Sequence, residues 1–179
     1  MSLFGLNRLR TAGPLGELAP DEYANIVRPY FDQGHIQEIL EIYRESTEPD
    51  VKASIASIVY ERARPNEFWF TCEMMTDAPL GAMPSVLAAM HQQAWAGPAL
   101  DFSNSSALWP FLKACMDPAR ESLLQGGALE VLSRMLEVGW HPGDSEIESV
   151  RSVLENLTVN VQQAWSPELS MIKQQLSGT

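Results

Sequence analysis

A chain of 179 residues, 45% of them hydrophobic and 20% charged, is long enough to bury a sizeable core and too apolar to remain disordered. Its 23 acids against 12 bases leave a net charge of −11, a field that opposes direct contact with nucleic acid or an anionic membrane and favours basic partners. Cys72 and Cys115 lie far apart and outside any CxxC pair, which excludes a disulfide framework and points to buried free thiols in a reducing compartment.

Residues 1–19 mix Leu3, Phe4, Leu6 and Leu9 with Gly5, Gly13, Pro14 and Gly16, a composition that opposes a long helix and reads as an N-terminal arm. Arg8 and Arg10 follow the short apolar run instead of preceding it, so the arm is not a signal peptide. No later stretch approaches the roughly 18 apolar residues of a membrane span, and a cytoplasmic location is expected.

A single all-α domain, with about eight or nine helices as hairpins or a compact bundle, is predicted over 20–179. Pro20-Asp21-Glu22 starts a helix with acids in its first turn, and Pro29 should end or kink it near Arg28. Ile36, Ile39, Leu40 and Tyr43 recur at helical spacing, with Glu38, Glu41, Glu45 and Glu48 on the opposite side. Thr47 and Asp50 are placed to cap the next helix, which begins with Pro49 and buries Val51, Ile55, Ile58, Val59 and the stem of Arg62 until Pro65 stops it.

Asn66–Thr76 is apolar almost all round, as a buried central helix would be. Pro84 opens a helix over Ser85–Trp95 with Val86, Leu87, Met90 and Trp95 as core candidates, and Ser105 or Ser106 precedes another over Ala107–Met116. Asp117-Pro118 reads as a cap and first-turn proline, with a break expected at Gly126-Gly127 and a C-terminal glycine at Gly139. Asp144 or Ser145 should cap a long helix that turns Ile147, Val150, Leu154, Leu157 and Val161 inward, and Ser166-Pro167-Glu168 starts the last helix. No segment reads as a strand.

Two segments resemble each other. Residues 36–64 and Ala128–Leu157 are both helix, loop, helix, with SIASIV (54–59) matching SVRSVL (149–154). At Glu48-Pro49-Asp50-Val51-Lys52 an acid–proline–acid turn precedes valine, a base and then small and aliphatic residues. This is similar to the start of the second helix of a HEAT repeat, with Val150-Arg151 as a counterpart that lacks the proline. The resemblance covers two hairpins. It implies stacked helical pairs that bind proteins or nucleic acid, and no chemistry.

Candidates for catalysis are few. His35, His91 and His141 lie in separate segments, and HPGDSE (141–146) reads as a turn and helix cap, so no metal or other cofactor is expected. Cys72 and Cys115 lack the electropositive surroundings of a reactive thiol, and four similar exposed glutamates lack the burial that separates an acid from a base. Gly126-Gly127 lacks the lysine of a phosphate loop.

The expected function is therefore non-enzymatic: an acidic module that binds and neutralises or regulates a basic protein such as a nuclease or toxin, in the manner of an immunity protein or a phage inhibitor. Glu38, Glu41, Glu45 and Glu48 are its candidate partner-binding residues. The alternative is an assembly adaptor that forms homo-oligomers through apolar helix faces. Five tryptophans are available as interface anchors, three of them (Trp95, Trp140 and Trp165) near proposed helix ends.

Overall fold

Helical periodicity in the sequence becomes ten α-helices and two short 3-10 turns, with no strand among the described residues. The structure, a computed structural model, describes residues 20–62, 68–96 and 100–177, with side chains from Asn25 onward. The arm at 1–19, the stop at Pro65 and the first two residues of the helix expected from Asn66 lie outside the described residues.

In chain order the helices are α1 (Pro20–Asp32), α2 (Ile36–Glu45), α3 (Pro49–Arg62), α4 (Phe68–Thr76), α5 (Met83–Ala96), α6 (Leu108–Cys115), α7 (Ser122–Glu137), α8 (Asp144–Glu155), α9 (Val159–Ala164) and α10 (Ser166–Ser177). They pack in two rows. Helices α1, α3, α5, α7 and α10 lie side by side in the first, and α2, α4, α6 and α8 in the second. Most consecutive helices also touch across the rows, so the chain zigzags between them and each of α1 to α8 meets a second neighbour sideways, while α10 closes on α7.

One continuous core fills the space between the rows, from Val27 in α1 to Leu176 in α10. The first-row helix α3 has neighbours on both flanks and buries Val51, Ser54, Ile55, Ala56, Ile58 and Val59. Ala56, with no side chain beyond Cβ, allows close approach there. Helix α4 is buried nearly all round, as its composition requires.

Two helix ends follow directly from glycine. Gly34 (φ +83°) and Gly139 (φ +98°) occupy the left-handed region that other residues avoid. Each end carries the paired Schellman hydrogen bonds: His35 N–H to Tyr30 O and Gly34 N–H to Phe31 O in one, Trp140 N–H to Met135 O and Gly139 N–H to Leu136 O in the other.

A third end is closed by side chains from neighbouring helices. Lys52 of α3, only 4% exposed, reaches the C-terminus of α4, donates to the Asp77 carbonyl at 3.1 Å and pairs with the Asp77 carboxylate. Its ammonium lies 4.8 Å from the centre of the Tyr43 ring. Tyr43 of α2 donates to the Met74 carbonyl at 3.0 Å. The Met74 carbonyl also accepts the Asp77 N–H at 3.3 Å, and the two buried donors, one of them cationic, add to the closure of α4 at Met74 and at the residue just past its end.

Several expectations change. Helix α1 runs through Pro29 to Asp32: the proline ring is exposed, and burial of Tyr30 and Phe31 in the final turn outweighs one lost backbone bond. Asp117-Pro118 does not start a helix. The Asp117 carboxylate accepts the Ala119 N–H at 2.8 Å in a separate turn, and α7 begins at Ser122.

Gly126-Gly127 does not break α7. A side chain at Gly126 would stand 2.1 Å from the Trp165 ring, so the glycine is there to admit the indole. The long helix expected after Asp144 divides instead. The Asn156 side chain turns back to the Ser152 carbonyl, Gln162 Nε2 donates to the Leu157 carbonyl, and α9 begins anew at Val159.

Caps also move. Gly143 precedes α8, with Glu146 Oε2 accepting its N–H at 3.0 Å, so Asp144 is already helical. Ser46 Oγ, in place of Thr47, accepts a backbone N–H in the turn before α3. Ser105 and Ser106 form a 3-10 turn that makes no side-chain cap for α6. Arg62 is exposed and pairs with Asp32 at 3.8 Å, so its stem is not core.

Candidate functional site

The candidate partner-binding residues lie at one end of the second row. Ile39, Leu40, Ile42 and Tyr43 bury one side of α2, which leaves Glu41 and Glu45 exposed and Glu38 half-buried at its edge. Glu48 is not on this helix. Ser46 adopts an extended conformation (ψ 132°) that ends α2 at Glu45, and Glu48 sits half-buried in the turn before α3. The three helical glutamates therefore share a face, and the fourth is beside its C-terminal end.

Glu38 is tied locally. Its own backbone N–H and a 3.3 Å contact with His35 Nδ1 hold its carboxyl below the usual carboxylate range. Between Ile36 and Asp50 the sequence has five acids, Glu38, Glu41, Glu45, Glu48 and Asp50, and one base, Arg44, which pairs along the row with Glu73 of α4. The surface is strongly negative and built on a rigid helix.

Neither thiol is available for chemistry at neutral pH. Burial, reinforced by the charges of Glu73 and Asp101, pushes Cys72 up to about 12. Burial likewise raises Cys115 to about 12 against the opposing pull of Arg120. The histidines remain apart, and no group of three metal-ligating side chains forms among the described residues.

A second surface escaped the periodicity reading. Trp95, expected in the core, is 49% exposed on the first-row helix α5. It stacks on His91 with ring centres 4.0 Å apart, and the Arg134 guanidinium lies 5.6 Å from its centre. Arg134 also donates to the Ala94 carbonyl at 3.1 Å, closing the last turn of α5.

Glu130 binds this cluster to the C-terminal helices: it lies 3.6 Å from His91 Nε2 and accepts the Trp165 indole N–H at 2.9 Å. Beside it, Pro84, Leu87, Ala88 and Leu124 line a groove of about 390 Å³ whose rim includes Leu123, 78% exposed. Pro84, His91 and Trp95 recur at helical spacing along this face, a signal that could have identified it.

Comparison with family models, curated proteins and solved structures finds no match. The functional reading therefore rests on geometry. No helix among the described residues is long and apolar enough to cross a membrane.

Grooves also separate the second-row helices. Met75 and Thr76 of α4 face Pro110, Phe111 and Ala114 of α6 across about 460 Å³. A larger groove of about 760 Å³ lies between α6 and α8, lined by Lys113, Ser149, Ser152 and Asn156 over Met116 and Val153.

Proposed function

We propose that the chain is a non-enzymatic binding module of HEAT-like construction, which grips a basic surface of another protein with the glutamate face of α2. The observation that carries this reading is the excess of carboxylates over 36–50, five acids to one base, with Glu41 and Glu45 exposed on one helix. Exposed like charges on a rigid element steer a cationic partner into place and reject an anionic one. The zigzag of helices between two rows supports the HEAT-like part of the reading, because stacked hairpins bury their cores in this way.

A nuclease or toxin that must hold nucleic acid presents such a basic surface. Neutralising it in the cytoplasm, as an immunity protein or phage inhibitor does, is the activity this charge suits. The test is affinity capture from the native host or its phage-infected cells with wild type and with Glu38→Lys/Glu41→Lys/Glu45→Lys. A partner retained by wild type at low salt should be lost with the variant and at high salt. Capture that is indifferent to both changes removes the acidic grip.

Self-assembly is the second reading, favoured by the exposure of Trp95 and Leu123 on the α5–α7 face. Light scattering coupled to chromatography separates the two. A dimer abolished by Leu123→Lys and untouched by the glutamate reversals supports self-assembly, and a monomer at all concentrations removes it.

A further inference from the structure

The α6–α8 groove contains a polar centre that the glutamate face does not use. Ser149 of α8 accepts two hydrogen bonds, from Trp109 Nε1 at 3.3 Å and from Lys113 Nζ at 3.2 Å, both donors on α6. A serine hydroxyl has two lone pairs and one proton. With both lone pairs engaged, Ser149 is left to act as a donor, and its proton has no acceptor among the described residues. The indole that locks it is itself buried, so the arrangement is held by packing.

Lys113 is a base whose charge no carboxylate among the described residues neutralises. Arg28, Arg44, Lys52, Arg62, Arg134 and Arg151 each pair with a carboxylate, whereas Lys113, like Arg120 and Lys173, makes no ion pair among the described residues, and of these three only Lys113 lines the groove. Its ammonium has three N–H donors and gives one to Ser149, leaving two for the groove. Asp117 lies at the same groove, with one carboxylate oxygen committed to the Ala119 N–H. Beneath these groups the lining is apolar, from Pro110, Ala114, Met116, Pro118 and Val153.

We infer that this groove binds a small organic anion, its carboxylate or phosphoryl head on Lys113 and Ser149 and its apolar body along Ala114, Met116 and Val153. A volume of about 760 Å³ is that of a small-molecule site, and an apolar bed with a few convergent donors is the usual form of one. The hydrogen-bonding requirement selects the charge of the head: fixed donors call for an acceptor, and an unpaired ammonium calls for an anion. The site is independent of the α2 surface.

The test is titration calorimetry of the full chain with octanoate, octyl phosphate and neutral octan-1-ol, with the Trp109 indole N–H resonance as the locator. Both anions should bind at least tenfold more tightly than the alcohol and shift that resonance. The tighter of the two identifies the head as carboxylate or phosphoryl. Lys113→Met keeps the exposed stem and should weaken either anion at least tenfold without affecting the alcohol. Asp117→Asn should tighten both anions by removing a like charge. Equal binding of anion and alcohol, an unchanged affinity in Lys113→Met, or no Trp109 shift would overturn the inference.

Discussion

Gly126 and Gly127 are adjacent in α7 and meet different neighbours. At Gly126 an added Cβ would stand 2.1 Å from two atoms of the Trp165 ring, a rigid body tethered to Glu130. At Gly127 it would stand 3.3 Å from the terminal methyl of Leu87, which can move a few tenths of an ångström. Alanine gains about 1 kcal/mol over glycine in a helix interior, while overpacking a filled core costs about 1–3 kcal/mol. Gly126→Ala should therefore lower stability by up to about 2 kcal/mol, and Gly127→Ala should leave it unchanged or raise it by up to about 1 kcal/mol. Urea denaturation with unchanged slope measures both as midpoint shifts, and equal shifts of the same sign would contradict the packing argument. The pair reads as a helix break in sequence because the reason for Gly126 lies in Trp165, a residue from the junction between α9 and α10.

At the scale of elements, the local chemistry of helix ends decides what can be read. Gly34 and Gly139 act through their own backbone; the end at Gly139 is where the sequence places it, whereas the helix closed by Gly34 runs four residues past the end expected near Arg28. The end of α4 depends on Lys52 and Tyr43, which come from α3 and α2, and no pattern within α4 announces them. The same holds for Glu48, assigned to the α2 face by periodicity until the extended conformation of Ser46 ends the helix first. Lys52 and Asp77 make an asymmetric pair, since Lys52 is buried and Asp77 is 58% exposed. Lys52→Met keeps the volume and leaves Asp77 hydrated, so its cost should stay below about 1 kcal/mol. Asp77→Ala strands a buried ammonium with one carbonyl and an aromatic face, and its cost should reach about 2 kcal/mol, discounted for the exposure of the lost partner. The double variant should be no less stable than Asp77→Ala alone. Thermal unfolding of the three variants checks the order, and a larger loss in Lys52→Met would mean that the ion pair itself, rather than the burial of its cation, holds the end of α4.

For the molecule as a whole, the all-helical class follows from hydrophobic period alone, but the stacking does not. The two segments whose sequences resemble each other occupy different rows: α2 lies in the second and α7 in the first, α3 in the first and α8 in the second. The two-row zigzag instead extends through the middle of the chain, where side chains pack in hairpin fashion without the sequence similarity. A stack in which each helix leans on its near neighbours is stabilised unevenly along its length. Helix α7 buries Gln125, Leu129, Val131, Leu132, Met135 and Leu136 among others, whereas in α8 only Val150 and Leu154 are fully buried. The sideways contacts of α8 are chiefly with α6. The amides of α8 should therefore exchange with solvent through a local opening well below the global unfolding free energy, while those of α3, α5 and α7 exchange only on global unfolding. Hydrogen exchange followed residue by residue at increasing urea distinguishes the two, because local opening is insensitive to urea and global opening is not. Equal protection and equal urea dependence in α7 and α8 would show a molecule that unfolds only as a whole. Because α8 carries Ser149, an anion bound in the α6–α8 groove should slow exchange in α8 selectively and leave α3 and α5 unchanged.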